Sequence, residues 1–296
     1  MAFRGADSRA LAIAVAVLPP LAITVLVATY AVNVPYWDTW DWLDRHYGAD
    51  ADGPVAVLSR YWPLFNEHRV LVPLLLDRAL LSLSSMDMLP RVFVKLPLSL
   101  ITLALLLHLA RRTAPEAPLV AQAGVFSALS FPLTYWPMWM DPRQFSIHLV
   151  VLAVVGAIVV ARGARTPRAR FVSCAALCLV ASLSYAPGVL AWPFVGLLLW
   201  SRSSRRVGPA LLWMALALAV AVPHAIEWRA GAQGLEGTAP GALRAVAAAC
   251  AVAGLPVAPA LRPLAYVPTI AMGAAGIVAL CGLGLVAARG DERLRR

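Results

Sequence analysis

Long apolar runs, separated by short basic or aromatic loops, constrain this chain more than any other feature. Leu11–Ala31 alone can cross a hydrocarbon core of about 30 Å, which needs roughly 20 apolar residues. Only 14% of the 296 residues are charged and 61% are hydrophobic, whereas a soluble domain carries about 25% charged residues. The chain is therefore predicted to be an all-α, polytopic transmembrane helical bundle.

About eight spans are expected in one transmembrane domain, residues 1–296. The apolar segments are, in chain order, Leu11–Ala31, Leu89–Ala110, Leu119–Tyr135, Phe145–Ala161, Phe171–Tyr185, Gly188–Trp200, Pro209–Ile226 and Pro263–Ala288. The fifth and sixth are short and are alternatively one helix broken around Pro187-Gly188, because proline and glycine interrupt helices. Val246–Ala260 contains two prolines and is interpreted as a re-entrant or surface helix.

The basic residues predict the orientation of the bundle. Fifteen of the 25 fall in the N-terminus, the C-terminus and the loops of one face, accompanied by only four acids. The positive-inside rule makes that face cytoplasmic, so both termini are predicted inside a bacterial-type cytoplasmic (inner) membrane. The outer loops are then residues 33–88, 136–144 and 227–262. The arginines are scattered at helix ends rather than gathered on one module, which argues against nucleic acid as a partner and favours membrane lipids.

The cysteines give no sign of a disulfide or a metal centre. Cys174 and Cys178 are four residues apart in an apolar run, so a helix stacks them on one face without disulfide geometry. Free cysteine behaves as a small hydrophobic side chain. Both are predicted to be buried thiols.

The first outer loop collects acids among tryptophans just after the first span. Asp38, Asp41 and Asp44 recur every three residues, which would place them along one face of a helix beside Trp37 and Trp40. An interfacial helix with an aromatic belt explains the tryptophans. It does not explain the carboxylates between them, because a carboxylate near the membrane core loses solvation. Asp38 and Asp41 are therefore candidates for a functional role.

Two further outer segments carry candidate site residues. Asn66-Glu67-His68-Arg69 precedes Val70–Leu83, an amphipathic segment, and Arg143 lies in the second outer loop. Arginine suits bidentate contact with phosphate, and glutamate or histidine suits general-base work or a divalent cation. The alternative is a solvated loop with a local ion pair.

At these residues the chain resembles the GT-C superfamily of membrane glycosyltransferases, which includes protein O-mannosyltransferases and aminoarabinose transferases. The resemblance rests on Tyr36-Trp37-Asp38-x-Trp40-Asp41 and on Asn66-Glu67-His68-Arg69. Trp136, Trp139, Gln144 and the segment from Ser184 to Pro193 add to it. Such enzymes take sugars from polyprenyl-phosphate carriers at the outer face. They usually have more spans, so a truncated, divergent or inactive member is expected.

The resemblance implies roles for the candidate residues. Asp38 would be the general base or a carboxylate near a metal, with Asp41 as second candidate, while Glu67 and His68 would line the acceptor or metal site. Arg69 and Arg143 would hold the carrier phosphate. Trp37 and Trp40 are expected to contact the substrate. A lipid-linked sugar is the implied partner, and whether a divalent cation is needed stays open.

Two other functions remain open from the sequence. A transporter or lipid flippase would fit the break at Pro187-Gly188, although transport favours ionisable residues deep within the spans, and here most flank them. A non-catalytic membrane subunit is the third candidate. It is favoured if Asp38, Glu67 and Arg69 can all be replaced without a phenotype.

Overall fold

A computed structural model describes residues 5–35, 38–47, 53–65, 68–163, 166–202 and 207–231. They all belong to one compact unit, Met1–Gln233. Within these ranges the chain is helical and forms no strand, apart from an isolated antiparallel bridge between Phe65 and His68. The predicted all-α class is therefore confirmed for the part of the chain that the structure describes.

The helices follow one another with short connections. They are α1 (Gly5–Tyr30), α2 (Thr39–Tyr47), α3 (Pro54–Tyr61), α4 (Leu71–Leu83), α5 (Leu89–Phe93), α6 (Lys95–Thr113), α7 (Leu119–Ser130), α8 (Trp136–Met140), α9 (Phe145–Arg162), α10 (Pro167–Ser182), α11 (Ala191–Arg202) and α12 (Val207–Gly231). Short 3₁₀ turns at Leu133–Tyr135, Pro142–Gln144 and Ala186–Leu190 precede α8, α9 and α11.

Four helical segments in the part of the chain that the structure describes are long and apolar enough to cross a membrane. They are Arg9–Tyr30, Leu89–Thr113, Pro142–Arg162 and Val207–Glu227, and two shorter apolar helical segments are Leu119–Ser130 and Ala186–Trp200. These helices indicate a membrane protein. The expected total of eight spans stays a prediction, and the segments Val246–Ala260 and Pro263–Ala288 lie outside the described residues.

The predicted span Leu119–Tyr135 is shorter in the structure. Helix α7 ends at Ser130, and Phe131 adopts φ −130° and ψ 62°. The cause is Pro132, whose ring disfavours helical geometry at the residue before it. The chain then makes a 3₁₀ turn and the short helix α8, so the aromatic segment around Trp136 is separate from the span.

Small residues let the central helices approach closely. Ala153, Ala157 and Ala161 are four residues apart on α9, and all three are buried against α10. Cys174 and Cys178 of α10 are buried free thiols in the same cluster, as predicted. Van der Waals packing of small side chains is a main source of helix association in membranes.

Helices α1 and α7 also pack closely at a small residue. A Cβ added at Gly124 would lie 3.1 Å from a methyl group of Val15. Three residues further along α7, the Ser127 hydroxyl donates to the Ala16 carbonyl at 2.7 Å. This contact satisfies a buried hydroxyl between two apolar helices, where an unpaired polar group is costly.

The described unit has two chemically different ends. One end, termed the loop end, carries α2, α3, α4 and α8 together with the first residues of α6 and α9. The end of α10 lies there too, since the Val72 N–H of α4 donates to the Leu183 carbonyl at 3.0 Å. The other end, termed the basic end, is where α6 and α9 finish and α10 begins. Its basic residues include Arg111, Arg112, Arg162, Arg168 and Arg170.

Candidate functional site

An arginine joins two acids from separate loops at the loop end. Arg143, in the turn before α9, donates from Nη1 to Asp38 Oδ2 at 2.5 Å. Its Nη2 and Nε donate to Asp141 at 2.7 and 3.1 Å, forming a bidentate fork. Asp141 also accepts the Arg143 backbone N–H at 3.0 Å and so begins the turn. The structure therefore brings together Asp38 and Arg143, two residues that the sequence had nominated separately.

This group, termed the Asp38 triad (Asp38, Arg143 and Asp141), is partly open to solvent. The side chains of Asp38, Arg143 and Asp141 are 31%, 14% and 13% exposed. Hydrogen bonds between ionised partners are about twice as strong as neutral ones, and partial burial reduces their screening. The triad carries one net negative charge. Asp38 is the most exposed of its three side chains.

A buried lysine fixes the loop that carries Asp141. Lys95, the first residue of α6, donates from Nζ to the carbonyl oxygens of Met138, Trp139 and Asp141 at 3.0, 2.5 and 2.9 Å. Its three ammonium hydrogens are thereby matched by three acceptors at the end of α8. Lys95 was not among the residues predicted from the sequence. A lone lysine within an apolar run was the available signal, because such a residue needs an internal partner.

Two further acids follow Asp38 on α2 and are exposed to solvent. Asp38 precedes α2, whereas Asp41 and Asp44 lie on the helix and are exposed. Trp40 is 60% exposed. Arg45 donates to the carbonyl oxygens of Pro63 and Leu64 at 3.2 and 3.0 Å. Burial lowers the pKa of the Arg45 guanidinium, and the nearby Asp41 opposes that shift. Asp38 lies directly before α2, and its carbonyl oxygen accepts the Trp42 N–H at 3.3 Å; the shared face of the three carboxylates stays a prediction.

Arg69 has a partner that the sequence did not predict. It is buried, and its Nη2 donates to Glu227 Oε1 of α12 at 2.6 Å. Its Nη1 donates to the Trp62 carbonyl at 2.7 Å, and its guanidinium lies 4.3 Å from the Trp62 ring centroid. Cation–π contact of this kind stabilises a buried arginine. Arg69 thus ties the segment between α3 and α4 to the end of α12, a long apolar helix.

His68 packs against an aromatic ring of another segment. Its imidazole lies 3.7 Å from the ring of Tyr185, measured between centroids, with the planes 36° apart. Its backbone exchanges both hydrogen bonds with Phe65 at 2.8 and 3.0 Å, closing a tight turn. Trp37 and Glu67, two other predicted site residues, lie outside the described residues. The role proposed for them from the sequence stays a prediction.

A second ionic group is completely enclosed by protein. Asp77 of α4 forms an ion pair with the guanidinium Nε of Arg91, and its Oδ2 accepts from His46 Nε2 at 2.8 Å. The other imidazole nitrogen of His46 hydrogen-bonds to the Tyr61 hydroxyl. Burial raises the pKa of Tyr61 and keeps its hydroxyl protonated. We term this group the Asp77 cluster. It joins α2, α3, α4 and α5.

Aromatic side chains form part of the buried core at the loop end. Trp42 makes edge contacts with Phe65 and Phe145, each with ring centroids 6.1 Å apart. Among the described side chains, Asp38 and Arg69 do not pair with each other, and each has its own opposite charge. The sequence hypothesis placed Asp38, Glu67 and Arg69 around one hollow. That hypothesis stays a prediction, since Glu67 lies outside the described residues; Asp38 pairs with Arg143, and Arg69 pairs with Glu227.

The described residues include no group of three or more His, Cys, Asp or Glu side chains placed to hold a metal ion. Asp38 and Asp141 are the two carboxylates of the described part that lie on one shared cation, and that cation is Arg143. The need for a divalent cation stays an open expectation.

No protein-family model matches this chain, and no curated protein or solved structure is significantly similar to it. The GT-C resemblance therefore stays a hypothesis that rests on the motifs of the sequence.

Proposed function

We propose that this chain is a multi-span membrane glycosyltransferase. It would transfer a sugar from a polyprenyl-phosphate carrier to an acceptor hydroxyl at the outer face of the membrane. The observation that supports it best is the ion pair between Asp38 and Arg143, which are 105 residues apart in the chain. A transfer of this kind needs a base beside the acceptor and a cation beside the leaving phosphate.

The proposed chemistry begins with an exchange of partners at Arg143. A carrier phosphate competes with Asp38 for Nη1 of Arg143, while the fork to Asp141 keeps the guanidinium in place. Asp38 is then a free carboxylate next to the donor. The acceptor hydroxyl loses its proton to Asp38 and bonds to the anomeric carbon. The bond between that carbon and the phosphate oxygen breaks, and the phosphate leaves with the electron pair.

The proposed topology places this chemistry at the outer leaflet. The long apolar helices would span the membrane, with the loop end outside and the basic end in the cytoplasm, as the arginine distribution favours. The shorter helices α7, α10 and α11 would complete the bundle towards the expected eight spans. The exposed Trp40 beside Asp38 suits a headgroup-level position and contact with a sugar ring.

The test is the Asp38→Asn variant, assayed for transfer of sugar from a polyprenyl-phosphate donor in membranes. This change keeps the shape of the side chain and removes the base, so we expect a loss of at least about 100-fold, the lower limit for a positioned general base. Asp44→Asn is the matched control, because Asp44 is an exposed acid on the neighbouring helix. Normal transfer by Asp38→Asn, with equal amounts of inserted protein, would remove Asp38 from this role.

A non-catalytic membrane subunit is the second candidate, and one observation favours it. Asp38 and Arg69 both already have internal partners, Arg143 and Glu227, as purely structural charges would. The two proposals differ in what Asp38→Asn does. A structural pair predicts reduced thermal stability with proportionate loss of function, whereas a catalytic base predicts lost transfer with nearly unchanged stability.

A further inference from the structure

A large cavity opens at the basic end, away from the Asp38 triad. Its volume is about 710 Å³, and it lies between α10, α11 and α12. Small-molecule sites typically have volumes of about 300–1,000 Å³. The first residues of α10 and α12 line it together with the last turns of α11. The proposed transferase chemistry at the loop end does not use this cavity.

Positive charge surrounds the mouth of the cavity. Arg168 and Arg170 line it, and Thr166 begins α10 there by accepting the Ala169 N–H at 3.4 Å. The N-terminal turn of α12, at Gly208, lines the opposite side. Helix N-termini carry partial positive charge. Two arginines and the N-terminal ends of two helices therefore contribute positive charge to the same cavity. The described lining contains no acid.

The deeper wall of the cavity is apolar and aromatic. Trp200 and Trp213 line it, and Trp213 is fixed by donating from Nε1 to the Trp192 carbonyl at 2.9 Å. Gly196 makes room for this indole, because a Cβ there would lie 2.7 Å from Trp213 Nε1. Trp200 is 46% exposed. A ligand that fits must therefore combine an anionic group with a hydrophobic part.

We propose that this cavity binds an anionic phospholipid, with the headgroup phosphate at Arg168 and Arg170 and the first part of an acyl chain against Trp200. The neighbouring Leu197 and Leu211 are strongly exposed, as expected for a surface that faces lipid chains. Basic pockets between helices at the cytoplasmic side are a known way to recognise anionic headgroups. A soluble phosphate has the same charge but would leave the aromatic wall unoccupied.

The test uses quenching of tryptophan fluorescence by brominated lipids in detergent micelles. The full chain is titrated with brominated phosphatidylglycerol and, separately, with brominated phosphatidylcholine. We expect tighter binding of the anionic lipid, and a loss of about fivefold in its affinity for each of Arg168→Gln and Arg170→Gln. The Trp200→Phe variant should lose much of the lipid-specific quenching, which locates the signal at the cavity.

A charge control and a cavity-filling variant test whether the quenching arises from lipid bound in the cavity. Arg111→Gln and Arg112→Gln, each tested singly, remove one charge from an exposed position outside the cavity and should leave the lipid preference unchanged. Gly208→Phe should block binding, since a Cβ at Gly208 meets nothing within 4 Å and the added ring can occupy the cavity. Equal loss in the Arg111→Gln and Arg112→Gln controls would reduce the effect to general surface charge and overturn the proposal. Full competition by millimolar inorganic phosphate would likewise assign the site to a soluble anion.

Discussion

At the scale of single residues, the Asp77 cluster is the feature whose burial requires the most complete set of partners. Asp77 and Arg91 are each 0% exposed and form an ion pair inside the protein. A buried charge is tolerated only when its partner and its hydrogen bonds are in place, because desolvation costs several kcal/mol for each ion. The cluster therefore fixes how the loop helices α2, α3 and α4 sit against α5.

We expect Asp77→Asn to destabilise the protein by about 3–5 kcal/mol, because it leaves the Arg91 charge buried without its counter-charge. Thermal unfolding in detergent, followed by circular dichroism, measures the effect. The control is again Asp44→Asn, whose exposed carboxylate should change stability by no more than about 0.5 kcal/mol. Replacing both members of the pair, as Asp77→Leu with Arg91→Met, should recover much of the loss. Equal stability of Asp77→Asn and wild type would contradict the burial of this pair.

At the scale of the element, the connection between α10 and α11 depends on one glycine. The sequence left open whether Phe171–Tyr185 and Gly188–Trp200 were two spans or one broken helix. In the structure α10 ends at Ser182, a 3₁₀ turn follows, and α11 begins at Ala191. Gly188 sits directly on the end of α10, and a Cβ there would lie 2.0 Å from the Ala181 carbonyl oxygen.

Gly188→Ala should therefore destabilise the protein by about 1–3 kcal/mol or prevent folding, because backbone atoms cannot move aside as a flexible side chain can. Yield after detergent extraction and the melting temperature are the measurements. Gly208→Ala is the matched control, since the space around its Cβ is open and alanine favours a helix. A Gly188→Ala protein that melts at the wild-type temperature would show that this close approach is absent.

At the scale of the whole molecule, the charges of the described unit are divided between two ends. The loop end contains ion pairs of both signs, whereas arginines dominate the basic end. This division is what a membrane-spanning bundle requires, because charged groups avoid the hydrocarbon region and basic loops stay in the cytoplasm.

Cysteine labelling tests this orientation. Asp44→Cys and Arg112→Cys, each exposed in the structure, are introduced into a chain whose four native cysteines are replaced by alanine. In right-side-out vesicles a membrane-impermeant maleimide should label position 44 and leave position 112 unlabelled, and inverted vesicles should give the reverse. Labelling of both positions from the same side would contradict the proposed topology.

The sequence also predicted parts of the site, and local rules explain which parts. The amphipathic segment Val70–Leu83 forms α4, Leu71–Leu83, because its pattern depends only on neighbours along the chain. The partners of Asp77 and Lys95 were not predicted from the sequence, because these partners lie far away in the chain and no local pattern identifies them.

The sequence by itself determined the helical class of this protein and its asymmetry of charge. Both follow from composition and from regular spacing over about 20 residues, which any helix in a bilayer must satisfy. Only the tertiary structure decided which charges pair. Arg143 meets Asp38 across 105 residues, and Arg69 meets Glu227 across 158. Such pairs depend on how whole helices pack, and packing is set by steric fit and desolvation in three dimensions rather than by any local pattern.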